Sequence, residues 1–135
     1  DDDRRARERA SAEPAPAPVR TPEQRAQITL RVGLDEASRQ LGRPVHVIEG
    51  MSSQFIGLAS GRQVPGADPS RQVVRVVYQD AAGRMIYLDQ QRIVAGQAVP
   101  TGSTASPRWT VGDVLVYLHG ELGAEALRNL QRRVR

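Results

Sequence analysis

The segment Gln72-Val-Val-Arg-Val-Val-Tyr78, followed by Gln79-Asp-Ala-Ala-Gly83 and then Arg84-Met-Ile-Tyr-Leu88, constrains the fold more than any other stretch of the chain. Two β-rich runs joined by a short glycine-containing turn form an antiparallel hairpin. Val74, Val76 and Tyr78 share one face and Val73 and Val77 the other, so both faces are partly apolar. Such a pair belongs in the middle of a sheet with something packed on it, and a helix is the natural cover.

That cover is supplied by the C-terminus. Between Glu121 and Val134 the apolar residues Leu122, Ala126, Leu127, Leu130 and Val134 recur mostly at spacings of three and four, which puts them on one helical face. Leu122, Leu127, Leu130 and Val134 are expected to face the sheet and Arg128, Arg132 and Arg135 the water. Just before this helix, Trp109-Thr-Val-Gly-Asp-Val-Leu-Val-Tyr-Leu118 reads as a second hairpin turning at Gly112-Asp113. As the sole tryptophan of a core with five aromatic residues, Trp109 is expected to be largely buried beneath the final helix.

Upstream, Thr21-Pro-Glu-Gln24 has the form of an N-cap with proline at the first helical position, and the alternation of Ile28, Leu30 and Val32 then predicts a strand. Leu34–Leu41 predicts a two-turn helix with Asp35 as N-cap, Gly42 as a left-handed stop and Pro44 barring continuation. It leads directly into an expected strand at Pro44–Ile48. Met51–Leu58 is a weaker strand candidate, and Gly61–Ser70 and Gly96–Pro107 are loops. The first twenty residues contain Pro14, Pro16 and Pro18 and one aliphatic side chain larger than alanine, Val19. They predict a disordered or extended stalk over 1–20, with a single domain over 21–135. The resulting fold class is α+β: an antiparallel sheet of about four to six strands, covered by a C-terminal helix, with a short helix before the first hairpin.

Chemistry is represented mainly by exclusions. The chain has no cysteine, so a disulfide, a thiolate zinc site and a cysteine nucleophile are ruled out. All nineteen basic residues are arginine, and most are scattered. Arg128, Arg132, Arg133 and Arg135 are concentrated at the end, where cations also suit the last turn of a helix. The scarcity of aromatic residues argues against a platform for stacking single-stranded nucleic acid. His46 and His119 lie far apart in apolar runs without the clustered ligands a metal requires. Ser52, Ser53, Ser60, Ser70, Ser103 and Ser106 lie in or beside turn-rich segments, and none occupies a nucleophile elbow. Asp80 and Asp89 are the only carboxylates considered as an acid/base pair, and Asp80 falls in the hairpin turn, where aspartate serves the backbone. No catalytic, cofactor-binding or metal-binding residue is therefore assigned, no cofactor is implied, and the partner-binding residues stay unassigned.

Three stretches carry a resemblance: Leu34-Asp-Glu-Ala-Ser-Arg-Gln-Leu41-Gly-Arg-Pro44-Val-His-Val47, the Val-Val-Tyr78 to Ile86-Tyr-Leu-Asp-Gln90 hairpin, and Trp109 through Gly112, Leu115, Leu118, Gly120 and Leu122 to Leu127 and Leu130. From about Leu34 on, the order of these elements resembles the extracytoplasmic C-terminal domain of membrane-anchored bacterial anti-sigma factors. The resemblance implies a non-catalytic sensory or interaction domain on the periplasmic or extracytoplasmic face of the cytoplasmic membrane. Its protein partner or small ligand would lie outside the cytoplasm, its parent chain would be membrane-anchored, and no nucleic acid would bind this domain. Binding would control regulated proteolysis of the parent and release of a sigma factor. The sigma-binding region and transmembrane helix of such regulators are not in this sequence. The alternative reading is a periplasmic or cell-surface binding module unrelated to sigma-factor control, with an enzyme of cell-envelope chemistry as a third.

Overall fold

A computed structural model describes residues 20–135, and the expected stalk therefore lies, except for Arg20, outside the described residues. The fold is α+β. Six strands form one open antiparallel sheet: β1 Leu30–Val32, β2 Phe55–Ser60, β3 Gln72–Gln79, β4 Met85–Arg92, β5 Arg108–Val111 and β6 Val114–Gly120. Their spatial order is β1-β2-β3-β4-β6-β5, so the chain leaves β4, runs to the sheet edge and returns inward as a hairpin. Among the described residues three α-helices accompany them, α1 Pro22–Ala26, α2 Leu34–Leu41 and α3 Ala124–Gln131.

Local chemistry explains most of these boundaries. Thr21 and Gln24 form a reciprocal capping box at the start of α1, with Pro22 at the first position. Asp80 closes the β3–β4 turn by accepting the amides of Ala82 and Arg84 at 3.0 and 2.8 Å. Between Val111 and Val114 the turn consists of Gly112 and Asp113, and the φ of 58° at Gly112 is what a two-residue hairpin of type II′ asks of its first residue.

The two faces of the sheet differ in kind. On one, Ile56, Leu58, Val74, Val76, Tyr78, Ile86, Leu88, Val116 and Leu118 form a continuous apolar core with Ala37 and Leu41 of α2 and Leu127 of α3. Leu122, Leu130 and Val134 pack against this core, as their spacing predicts, while Arg128, Arg132 and Arg135 are exposed. On the other face the apolar contacts are split into two clusters. Ala26 of α1 covers Phe55, Val77, Met85 and Tyr87, and Val64, from the loop after β2, covers Ala59, Val73 and Leu115.

Several expectations need correction. Pro44–Ile48 is not a strand of the sheet, because other groups occupy its backbone. The side-chain amide of Gln90 accepts from His46 N and donates to His46 O (2.6 and 2.9 Å), Tyr78 Oη accepts from Ile48 N (2.9 Å), and Val47 exchanges two backbone bonds with Arg135. The segment thus crosses over the core face, where its one ladder contact is an isolated bridge from Ile48 to Val134. Its neighbour Gln91, on the opposite face, does the same for the loop after β2, accepting from Asp68 N at 2.8 Å and donating to Asp68 O at 3.2 Å. The N-cap of α2 is Gly33 and Asp35 lies in the first turn, where its charge suits the helix dipole. The Met51–Leu58 candidate becomes Phe55–Ser60, with Met51 in the preceding coil. Trp109 is only half-buried, because β5 is the sheet's edge strand and has a neighbour on one side only.

Gly120 ends β6 with a φ of 141°, and a Cβ placed there would stand 2.4 Å from Met85 O, the atom that accepts the Glu121 amide. Gly120→Ala therefore combines unfavourable backbone geometry with a clash against main chain. It is expected to cost about 1–3 kcal/mol, read from the midpoint of urea unfolding.

Candidate functional site

The gap between the two back-face clusters is filled by charge. The hairpin register that sets Gln79 opposite Met85 sets Arg75 opposite Asp89, and Asp89 in turn faces Tyr117 on β6. One position along, Val77, Tyr87 and His119 stand in line. Strand alternation turns Arg75, Asp89, Tyr87, Tyr117 and His119 to the same face, away from the main core.

Arg75 and Asp89 form a two-pronged pair, with Nε to Oδ1 and Nη2 to Oδ2 both at 2.7 Å, and both side chains are buried. The remaining donor of Arg75, Nη1, is accepted by Ala26 O of α1 and by Gln63 Oε1, the latter at 2.7 Å. His119 Nε2 lies 2.7 Å from Asp89 Oδ2. Burial alone would raise the Asp89 carboxyl, but the hydrogen bonds and charge of Arg75 and the contact with His119 outweigh it and hold the group below the usual carboxylate range. An ionised carboxylate only accepts, so Nε2 must carry the proton that it donates. The other ring nitrogen, Nδ1, has no hydrogen-bond partner among the described residues.

The imidazole is also held by its neighbours. Its ring stacks on Tyr117 with centroids 4.6 Å apart and planes 23° from parallel, and meets Tyr87 at 5.2 Å. Tyr87 donates its hydroxyl to Arg25 O at 3.0 Å, and burial followed by the nearby Glu121 carboxylate pushes that phenol upward, so it remains a neutral donor. Arg25 forms an ion pair with Glu121, whose Oε1 also accepts the Met85 amide at 2.6 Å. Together with Ser106 and Gln27 these side chains line an open cavity of about 590 Å³.

A histidine oriented by a buried aspartate is the arrangement that prepares a base or a hydrogen-bond acceptor. Here, however, both aspartate oxygens are committed to Arg75, and Ser106 makes no hydrogen bond to His119 although it lines the same cavity. The side chains of the site thus hold one another in a polar surface that opens onto the cavity. Asp80 and Asp89, the carboxylates considered together in the sequence, have separate partners: Asp80 binds its own turn and Arg84, Asp89 binds Arg75 and His119. His46 and His119 are likewise apart, His46 being pinned by Gln90 across the opposite face. Among the described residues no group of three or more His, Asp or Glu could hold a metal ion, and no helix is long and apolar enough to cross a membrane.

Sequence reasoning missed this cluster, although a signal for it existed. An arginine inside Val-Val-Arg-Val-Val and an aspartate inside Tyr-Leu-Asp-Gln are each out of place in a buried hairpin. Counting outward from the turn brings them face to face. Compared with protein-family models, with curated proteins and with solved structures, the chain has no match.

Proposed function

We propose that this chain is a non-catalytic sensory and interaction domain whose signal is occupancy of the back-face cavity by a small polar ligand. One observation carries the reading: His119 is fixed by Asp89 on one nitrogen and by Tyr117 across its ring, while Nδ1 has no partner among the described residues and the ring lines the cavity. An acceptor whose orientation is already fixed loses little entropy on binding. What favours binding over turnover is the locking of both Asp89 oxygens by Arg75, with no nucleophile bonded to the imidazole. Because Arg75 is matched by Asp89 and Arg25 by Glu121, the charges lining the cavity cancel in pairs. The ligand that suits it is an uncharged molecule rich in hydrogen-bonding groups. In the setting that the anti-sigma resemblance implies, the domain lies outside the cytoplasmic membrane. A ligand that binds only the folded state shifts its population and so governs proteolysis of the parent chain and release of the sigma factor.

The test is a titration of the labelled chain with uncharged saccharides and uncharged short peptide amides, followed by nuclear magnetic resonance. Saturable shifts at His119, Tyr117 and Ser106 are expected for one of the two classes. His119→Phe keeps a stacking ring and removes the acceptor, and should weaken that binding about tenfold in a protein that still melts cooperatively. Absence of shifts across both classes, or unaltered affinity in the variant, sinks the proposal. The regulatory half is tested in the natural gene, where His119→Phe should change sigma-dependent transcription at constant protein level. Unchanged transcription would favour a binding module outside sigma-factor control.

A further inference from the structure

A second open cavity, of about 640 Å³, is bordered by the Gly50–Gln54 coil, the β3–β4 turn and α3. Its floor is apolar: Ile86 belongs to the main core, and Met51, Leu122 and Leu130 are partly buried against it. Its rim carries two guanidinium groups of different status. Arg84 is matched by Asp80, with Nε 2.8 Å from Oδ2. Arg133 forms no ion pair with any carboxylate among the described residues, and its one side-chain hydrogen bond there runs from Nε to Glu49 O at 2.9 Å.

Arg133 is exposed and is tied to the coil opposite by its Nε bond to Glu49 O, with its guanidinium lying beside Gly50. Nε is held by Glu49 O, which leaves the two Nη groups with donors to spare. The cavity therefore combines a hydrophobic floor with one guanidinium on its rim that has no carboxylate partner among the described residues. A planar guanidinium with two free donors matches a carboxylate, and a volume of this size lies within the range of small-molecule sites.

We propose that this cavity binds a free medium-chain carboxylic acid, its alkyl chain on Met51, Ile86, Leu122 and Leu130 and its carboxylate on Arg133. The site is separate from the back-face cavity, whose charges cancel, and stands or falls independently of it.

The experiment is calorimetric and magnetic-resonance titration of the full chain with decanoate below its micellar concentration. Saturable one-to-one binding is expected, with shifts at Met51, Leu122 and Leu130. Decanol should bind about tenfold more weakly, and acetate and decyltrimethylammonium not at all. Arg133→Gln should lower decanoate affinity about tenfold and leave decanol unchanged. Ala126→Phe, at an exposed α3 position that lines the cavity, should abolish binding of both while circular dichroism stays native. Equal affinity for decanol and decanoate, an unaltered Arg133→Gln variant, shifts confined to the back-face cavity, or binding only to decanoate-containing vesicles would each overturn the proposal.

Discussion

Asp89→Asn is expected to cost about 3–5 kcal/mol, the range for removing one partner of a buried ion pair. The substitution leaves the shape almost unchanged but strips the charge that Arg75 is buried against, and it weakens the contact to His119. Urea unfolding measures the loss. The double replacement Arg75→Met with Asp89→Leu should recover much of it, since removing both charges leaves nothing unpaired. Acid gives an independent check. The Asp89 carboxyl lies below its ordinary value in the folded chain, so its contribution is fully present above the unfolded value of about 3.9 and is lost as pH falls toward the folded one. Asp68, Asp80, Asp113 and Glu36 are also held low, by exposed hydrogen bonds and arginine partners, and they keep the natural chain acid-sensitive. Between about pH 4 and pH 2, stability of the Asp89→Asn protein should fall less steeply than that of the natural chain. Equal slopes would mean that Asp89 is not ionised against Arg75.

Deletion of residues 121–135 is the other large effect, and the expected result is a chain that does not fold or that associates. The segment carries Leu127, buried in the main core, together with Leu122, Leu130 and Val134 at its margin. It also carries the Arg135 backbone that pairs with Val47 and the Glu121 carboxylate that receives the Met85 amide. Without it the apolar face over Ile86, Val116 and Leu118 lies open, which favours association. The graded version is Leu127→Ala, expected to lose about 2–5 kcal/mol by thermal or urea unfolding. Replacing Arg128, Arg132 and Arg135 with Gln should change stability by less than about 1 kcal/mol, because all three are exposed and the Arg135–Glu49 pair is in water on both sides. A stable monomer after deletion would show that α2 alone suffices to cover the sheet.

The elements readable in the sequence were those whose cause is local. The β3–β4 hairpin follows from the Val-rich run, the turn at Asp80 and Gly83, and the second run. The α1 capping box and the left-handed stop at Gly42 depend on residues within a few positions of each other. The expectation at Pro44–Ile48 failed for the opposite reason. Its composition suits a strand, but its partners are the Gln90 side chain, the Tyr78 hydroxyl and the C-terminal backbone, and no local pattern encodes these. Trp109 was expected deeper than it lies because its hairpin could be read and its edge position could not. For the candidate site, the sequence sets Asp89 beside the wrong carboxylate, Asp80, and His119 beside the wrong histidine, His46. Their meeting depends on β6 pairing with β4, which brings together residues thirty positions apart in the chain and which only the assembled sheet provides.

Gln90 and Gln91 give β4 a role beyond strand pairing. Each acts as a substitute peptide group, one holding His46 on the core face and the other Asp68 on the back face. The two segments lie on opposite faces of the sheet, yet their anchors are adjacent residues of one strand. Any excursion that detaches this part of β4 from its neighbours removes one anchor from each covering at once. The crossing segment and the loop after β2 are thus expected to loosen together in local unfolding, with the C-terminal end of β4 as the link between the two sides of the sheet.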